Sequence, residues 1–278
     1  MNLEEQSRKI IGQYRKRKWI GIGILVIGMI YAFYLLLGVL DERAEILFGG
    51  LPSLLLWLSV YISFFLIAVI AFFIRWTGFV IINKVHSEQC DPFLYEACIE
   101  KLRSGLFPDR LLCNRAIAQY HQGNYERSYE TLRKIRCQKL KGEFLVSYYI
   151  LLSMLYFHQG RGQEVTELEN RYRAALKNRK QDKLRFDRFC TGNNLVRAVK
   201  NKDYEAAFGF LSHQRILQAK TGSAKINKVT DSMWEARIFL GMGETQAARL
   251  QLQFVTSQGG RMAIAEEAGR LLKEMSRE

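Results

Sequence analysis

The hydrophobic positions of the chain follow two patterns, which change near Arg75. Before it, two uncharged runs dominate: residues 19–40 ("WIGIGILVIGMIYAFYLLLGVL") and residues 51–74 ("LPSLLLWLSVYISFFLIAVIAFFI"). A helix of roughly 22 residues is long enough to cross a hydrocarbon core of about 30 Å. Gly49 and Gly50 separate the runs, and Pro52 stands where a first-turn proline is tolerated. The pattern predicts a transmembrane hairpin over residues 19–75.

The first run has one competing interpretation, a cleaved signal peptide. Its apolar stretch is longer than the usual core of about 7–15 residues, and no small-residue cleavage site precedes Asp41. We therefore interpret it as a span.

The charges beside the spans predict their orientation. Six basic residues precede the first span, whereas the connecting "DERAEILFGG" has one basic residue against three acidic ones. By the positive-inside rule, residues 1–18 form a basic cytoplasmic N-terminus. Two spans return the chain to the same side, so we expect an integral protein of the plasma (inner) membrane. Residues 76–90 are then a juxtamembrane linker, and residues 91–278 a cytoplasmic domain.

After the linker the apolar positions follow helical periods, and no stretch alternates like a strand. Asp91 followed by Pro92 is a helix start, and Gly105 with Pro108 ends that first helix. The fold class is all-α. Further helices are predicted at residues 110–121, 125–137, 143–158, 163–176, 182–200, 204–219, 232–240, 245–257 and 262–275.

A repeat runs through these helices. "YHQG" at residues 120–123 returns as "FHQG" at residues 157–160, each before a new helix. The turn residues Gly123, Gly160, Lys202 and Gly243 lie about 37, 42 and 41 residues apart. Such periods are typical of solenoids built from helix hairpins.

The stretch "NRAIAQYHQGNYERSYETLRKI", residues 114–135, resembles a tetratricopeptide repeat (TPR). The matching asparagine, small, aromatic, turn and apolar positions are Asn114, Ala116, Ala118, Tyr120, Gln122, Gly123, Tyr125, Ser128, Leu132 and Ile135. Units at residues 149–172, 193–217 and 234–255 keep fewer of them, at spacings above the usual period of about 34. The resemblance implies a TPR-like α-solenoid of helix hairpins, completed by the amphipathic helix 262–275 as a C-terminal cap.

The resemblance also implies a concave groove, lined by the first helix of each unit, that binds peptides or partner helices. The matching groove positions are Arg110, Asn114, Ile117, His121, Ser147, Met154, His158, Asn193, Val196 and Lys200. His121, His158 and Lys200 would form a partly basic row that suits an acidic or C-terminal peptide. The alternative for each position is a solvated helix face without a ligand.

Catalytic signatures are absent from the sequence: it has no phosphate-binding glycine loop, HExxH pair or GxSxG elbow. His121 and His158 end helices, where a positive charge favours the helix dipole. The five cysteines include no CxxC pair, which suits a reducing compartment. Cys90 and Cys98 come nearest to a zinc-ligand spacing, but we interpret them as buried thiols. We expect no enzyme activity, cofactor or metal.

The net charge of +14 is concentrated in the connections between repeats. These are "RKIRCQKLK" at residues 133–141, "KNRKQDKLR" at residues 177–185, and Lys220, Lys225 and Lys228. In a solenoid they fall on one edge, so the sequence predicts a basic rim. Anionic lipid and nucleic acid both suit such a rim. Because the spans place the domain beside lipid, we favour the membrane or an acidic protein over nucleic acid. The alternative is that the basic loops only keep the domain soluble.

Together these patterns predict a membrane-anchored scaffold or adaptor that recruits a protein or peptide partner. The alternative is a non-catalytic subunit of a larger membrane complex, for example for secretion or envelope assembly. In that case Gly28 and Ala32, a small-xxx-small pair, would contact other subunits.

Overall fold

A computed structural model describes residues 2–40, 53–102, 108–176, 180–220 and 224–277, and these ranges contain helices and no strand. The predicted breaks at Gly49, Gly50, Pro52 and Gly105, and the basic residue Lys177, lie outside them. The helices are α1 (Leu3–Leu40), α2 (Ser53–Ser87), α3 (Pro92–Glu100), α4 (Pro108–His121), α5 (Tyr125–Arg133), α6 (Glu143–His158), α7 (Gly162–Ala175), α8 (Lys180–Lys200), α9 (Tyr204–Ala219), α10 (Lys225–Met242), α11 (Thr245–Gln258) and α12 (Ala263–Met275). The chain forms two compact units, Met1–Asn83 and Lys84–Glu278.

In the first unit, α1 and α2 pack as an antiparallel pair that approaches closely at glycines. A methyl group at Gly21 would lie 3.0 Å from the carbonyl oxygen of Ala71, and one at Gly28 would collide with Ile67. The face at Gly28 is therefore occupied inside the hairpin, and the expectation that it contacts other subunits is wrong.

Both helices are long and apolar enough to cross a membrane, with mean hydropathies of 1.3 and 2.4. Their large apolar side chains face outward: Ile27 and Phe65 are 68% and 66% exposed. A core helix of a soluble protein would bury such residues. The helices are longer than the predicted spans, because α1 starts at Leu3 and α2 runs through most of the expected linker. The fall in hydropathy near residue 75 marks the end of the apolar segment but not the end of the helix. The next helix breaker is the Cys90–Pro92 stretch, so α2 continues almost to that point.

The second unit contains the predicted helices, with two differences. Helix α5 stops at Arg133 and a 3-10 turn follows, because the backbone N–H of Arg136 donates to the Asp109 carboxylate at 3.1 Å. Helix α10 starts at Lys225 instead of residue 232. Its first turns are polar in sequence, but Ile226, Val229 and Met233 form a single buried face.

The four predicted turn residues share one backbone geometry. Gly123, Gly160, Lys202 and Gly243 all have φ between 60° and 81°. In each turn, the following residue donates its N–H to the carbonyl five residues back, as Asn124 does to Gln119 at 2.9 Å. This is the Schellman arrangement of helix C-termini, and it confirms the turn assignment.

The turns also fix which residues the helix pairs bury. Seven residues before each turn lie Ala116, Ser153, Leu195 and Ala236; five residues after it lie Ser128, Val165, Ala207 and Ala248. All eight are at most 1% exposed. The Ser128 hydroxyl donates to the carbonyl of Ala116 at 2.8 Å, which joins α5 to α4. Six of the eight are Ala or Ser, and small residues permit close helix packing.

The end of the second unit contacts its beginning. The backbone N–H of Arg261 donates to the carbonyl of Cys90 at 3.0 Å, and the Arg261 guanidinium lies 3.5 Å from the Asp91 carboxylate. Cys90 and Met262 are fully buried in one cluster with α10 and α11. The segment that leads into α12 thus contacts the start of the unit, a contact that the sequence did not predict.

Candidate functional site

The inner face of the helical unit encloses two adjoining cavities. Cavity A, of about 390 Å³, lies between the C-terminal ends of α4, α6 and α8 and side chains of α10 and α12. Cavity B, of about 430 Å³, extends along α4, α6, α8, α9 and α10 and also touches His86. The residues that line both are Tyr120, His121, Met154, Thr230 and Trp234. Each cavity has the size of typical ligand sites.

Seven of the ten predicted groove residues line these cavities. Cavity A is lined by His121, Met154, His158, Val196 and Lys200, and cavity B by Ile117 and Ser147 together with His121 and Met154. The repeat therefore brings the first helices of three units to a common surface.

The other three predicted residues line neither cavity. Asn193 is fully buried and its amide donates to Glu169 of α7 at 2.9 Å, so its assignment to the groove is wrong. Arg110 lies over the ring of Phe144, 5.3 Å from its centroid. Asn114 is partly buried on α4.

Three further cavity residues belong to the fourth unit. Every predicted groove residue lies 13, 9, 6 or 2 positions before a turn residue, and the same counting from Gly243 gives Thr230, Trp234, Arg237 and Gly241. The first three line cavity A. At Gly241, any side chain would collide with the ring of Tyr204. These residues could have been predicted from the sequence by counting the same positions back from the fourth turn residue.

The charged side chains of cavity A are all basic. The Lys200 ammonium donates to the carbonyl of Phe157 at 2.5 Å and lies 5.3 Å from the centroid of its ring. Arg237 donates to Glu267 at 2.7 Å and lies 4.9 Å from the Trp234 ring. Among the described residues that line cavity A there is no aspartate or glutamate. The cavity therefore combines aromatic walls with positive charge.

Six rings form a continuous aromatic row beside these cations. Successive centroids are 4.8, 5.0, 5.5, 5.3 and 3.7 Å apart along Tyr95, His86, His121, Tyr120, Tyr125 and His158. Such rings are stiff and offer apolar surface together with polar edges. The row gives both cavities a rigid wall.

His121 is neutral at neutral pH, contrary to the expectation of a positive charge at the helix end. Burial lowers the pKa of His121 from 6.5 to about 4. That change corresponds to about 3 kcal/mol, whereas a cation at a helix C-terminus gains about 0.3–1 kcal/mol. Desolvation therefore outweighs the helix dipole, and Lys200 and Arg237 supply the charge of the cavity.

His86 is a site residue that the sequence did not reveal, since residues 76–90 read as a linker. Its Nε2 atom is buried and has no hydrogen-bond partner among the described residues. A buried imidazole nitrogen without a partner costs about 1–3 kcal/mol.

Metal ligands do not cluster in the described part of the chain: no group of three or more His, Cys, Asp or Glu could hold an ion there. Cys90, Cys98 and Cys113 are fully buried. Burial raises the pKa of Cys98 to about 11 and that of Cys113 to about 12, so both are protonated thiols.

Two arginines of the predicted basic rim, Arg136 and Arg185, are paired with carboxylates. Arg185 and Arg188 both bind Glu143, at 2.8 and 2.6 Å, and Arg136 binds Asp109 at 3.3 Å. The lysines on these connections, such as Lys134 and Lys141, are exposed. Within the described residues, the rim charge that remains unpaired is carried by Arg133 and lysines.

Comparisons of the chain with protein-family models, curated proteins and solved structures give no match. The resemblance to the tetratricopeptide repeat therefore rests on the residues and turns described above.

Proposed function

We propose that this protein is a membrane-anchored, non-catalytic scaffold that recruits a partner through its helical unit. The hairpin fixes the protein at the membrane, and a short segment of the partner enters cavity A. Recruitment raises the effective concentration of the partner at the membrane, which needs no bond chemistry.

The observation that carries this proposal is the composition of cavity A. Repeat positions from four helix pairs meet there, and they combine stiff aromatic walls with the cations Lys200 and Arg237. Aromatic and arginine side chains in partly enclosed pockets are the usual anchors of protein recognition. An acidic segment is the partner chemistry that suits these cations. Exposed lysines such as Lys134 would add attraction to anionic lipid.

Affinity purification of the full chain from membranes in mild detergent tests the proposal. Lys200→Glu reverses the charge in cavity A, and Lys273→Glu makes the same change at an exposed position outside both cavities and outside the basic rim. We expect the wild type and Lys273→Glu to retain an exchangeable partner and Lys200→Glu to lose it. A stable stoichiometric complex that survives both substitutions would instead support the membrane-subunit alternative.

The proposed orientation places the N-terminus and the helical unit in the cytoplasm. It rests on the basic residues 8–18 before the first span and on the even number of spans. A tag after Glu278 should be protected when spheroplasts are treated with external protease, and degraded once they are permeabilised. Cleavage in intact spheroplasts would overturn the orientation.

A further inference from the structure

Cavity B contains a carboxylate that its protein neighbours satisfy at only one of its two oxygens. Asp231 of α10 is 4% exposed and lines this cavity. Its Oδ1 atom accepts hydrogen bonds from Gln214 at 3.0 Å and Gln218 at 3.4 Å. Its Oδ2 atom accepts none within the described residues, and lies 4.0 Å from Nε of Arg215. One oxygen of a buried carboxylate is therefore free to accept a hydrogen bond.

This free oxygen is open to the cavity and is not sealed in the core. Within the described part of the chain, the side-chain atoms that are both sealed from solvent and without a hydrogen bond are Nε2 of His86 and Oδ1 of Asn193. The Oδ2 atom of Asp231 has no hydrogen bond but does not belong to that sealed pair, so it keeps accessible surface. Since Asp231 lines cavity B, a ligand in the cavity can reach this oxygen.

The charges around Asp231 favour a cationic group at the free oxygen. Arg215 is committed to Glu235, to which it donates at 2.6 and 3.3 Å. Arg188, which also lines cavity B, donates to Glu143 at 2.6 Å. Burial raises the pKa of Asp231 to about 6, so its carboxylate is charged at neutral pH. A buried charge is costly unless it is paired, and an ammonium group would pair with it through a charge-assisted hydrogen bond.

Neutral oxygens of cavity B add acceptors for an ammonium group, which has three donors. A methyl group added at Gly192 would lie 3.6 Å from Oε1 of Gln214, and both residues line the cavity. The glycine therefore leaves this oxygen open. Thr230 donates its hydroxyl proton to the carbonyl of Ile226 at 2.9 Å, which leaves the lone pairs of its oxygen to accept.

Much of the wall of cavity B is apolar or aromatic. Its half-buried side chains include Ile117, Tyr120, Ile150, Met154 and Trp234. The volume of about 430 Å³ falls in the range of small-molecule sites. In such sites the apolar wall binds the body of the ligand, and a few polar groups fix its orientation.

We propose that cavity B binds a small primary amine with an apolar body, whose ammonium group donates to Oδ2 of Asp231 and whose body lies against Ile150 and Trp234. This inference goes beyond the proposed function, because the ligand of cavity B is a small cation, whereas the segment proposed for cavity A is acidic. Recruitment depends on Lys200 and amine binding on Asp231, so either can fail alone.

Ligand-observed NMR on the full chain in phosphatidylcholine nanodiscs tests the inference, with empty nanodiscs as the blank. Two pairs of probes share a body and differ in the head group: phenethylamine with phenethyl alcohol, and hexylamine with hexanol. We expect at least one amine to bind about tenfold more tightly than its alcohol, as for one charge-assisted hydrogen bond. Failure of both amines to bind, or equal affinities within both pairs, would overturn the inference.

Two variants separate the site from general effects of charge. Asp231→Asn keeps the size of the side chain and removes its charge, so it should weaken amine binding about tenfold and leave alcohol binding unchanged. Asp187→Asn removes an exposed carboxylate of α8 that lines neither cavity, and should change neither affinity. An amine preference that persists in a folded Asp231→Asn protein would contradict the proposed contact.

The pH dependence of amine binding to the wild type needs no variant. With a pKa of about 6 for Asp231, the affinity should fall about tenfold between pH 8 and pH 5, as the carboxylate takes up a proton. Alkylamines, like lysine, stay protonated over this range. Burial lowers the pKa of His121 to about 4 and that of His86 well below 6.5, so both imidazoles of the cavity stay largely neutral. A flat profile would show that Asp231 is not the binding group.

Discussion

At the scale of single residues, the turns depend on backbone conformations that side chains rarely adopt. Gly123 has a φ of 81°, and a methyl group added to it would lie 3.1 Å from the Cβ of Ala263. An L-residue in the left-handed region costs about 1–2 kcal/mol, and a β-branched residue costs more. Gly123 thus serves both the first turn and the contact with α12.

Gly123→Val should lower the free energy of unfolding by about 2 kcal/mol or more. Gly209→Ala is the control, because Gly209 lies within α9 and has no atom within 4 Å of an added methyl. It should be stabilising by about 0.5–1 kcal/mol. Chemical denaturation of the full chain in detergent measures both, and an unchanged midpoint for Gly123→Val would contradict the turn geometry.

Asp231 should make stability depend on pH. Burial raises the pKa of Asp231 from 3.8 to about 6, so the folded state binds the proton more tightly than the unfolded chain. The contribution is complete below pH 3.8 and is lost as the pH rises through 6. Between pH 7.5 and 4.5, the wild type should gain about 2 kcal/mol relative to Asp231→Asn.

Denaturation curves of both proteins at the two pH values measure this difference. His121, whose pKa is lowered to about 4, acts in the opposite direction, but it is present in both proteins and cancels. Parallel pH profiles would show that Asp231 is not buried as a carboxyl group.

At the scale of helices, contacts between successive pairs use the residues on either side of each turn. Tyr125 follows the first turn and packs on His158, which precedes the second, with ring centroids 3.7 Å apart. Tyr204 follows the third turn and packs on Gly241, which precedes the fourth. The contact between the first two helix pairs therefore joins two rings. The equivalent contact between the last two pairs joins one ring to a glycine.

Gly241→Ala should be destabilising by about 1–3 kcal/mol, because the new methyl group would overlap the Tyr204 ring. In a Tyr204→Ala background the same change should become neutral or be stabilising by about 1 kcal/mol, since alanine is the better helix former. Unfolding midpoints of the four proteins complete the cycle, and equal effects of Gly241→Ala in both backgrounds would exclude the contact.

Most of the helices could be predicted from the sequence, because their ends coincide with turn residues and their buried faces with helical periods. The start of α10 was missed, since the polar residues Asn227 and Lys228 separate Ile226 from Val229. Arg185 was assigned to the basic rim from the sequence, yet it binds Glu143, 42 residues away along the chain. Such pairs depend on which helices become neighbours, and local patterns do not encode that.

At the scale of the whole molecule, the site exists because the helical unit returns on itself. Arg261 contacts Cys90 and Asp91, and this return brings Ala263 and Ile264 of α12 to the wall of cavity A. The repeat predicted the residues on α4, α6 and α8, because their register is periodic. It did not predict His86 or the residues of α12, whose positions follow from a contact between distant parts of the chain.

Site-specific photo-crosslinking in native membranes tests the central claim most directly. A photoreactive residue replaces Met154, which lines both cavities, or Leu250, a 66% exposed residue of α11 that lines neither. We predict that one partner protein is crosslinked from position 154 and not from position 250, and that Lys200→Glu abolishes the adduct. No adduct from position 154, or equal adducts from both positions, would contradict a partner segment bound in the cavities.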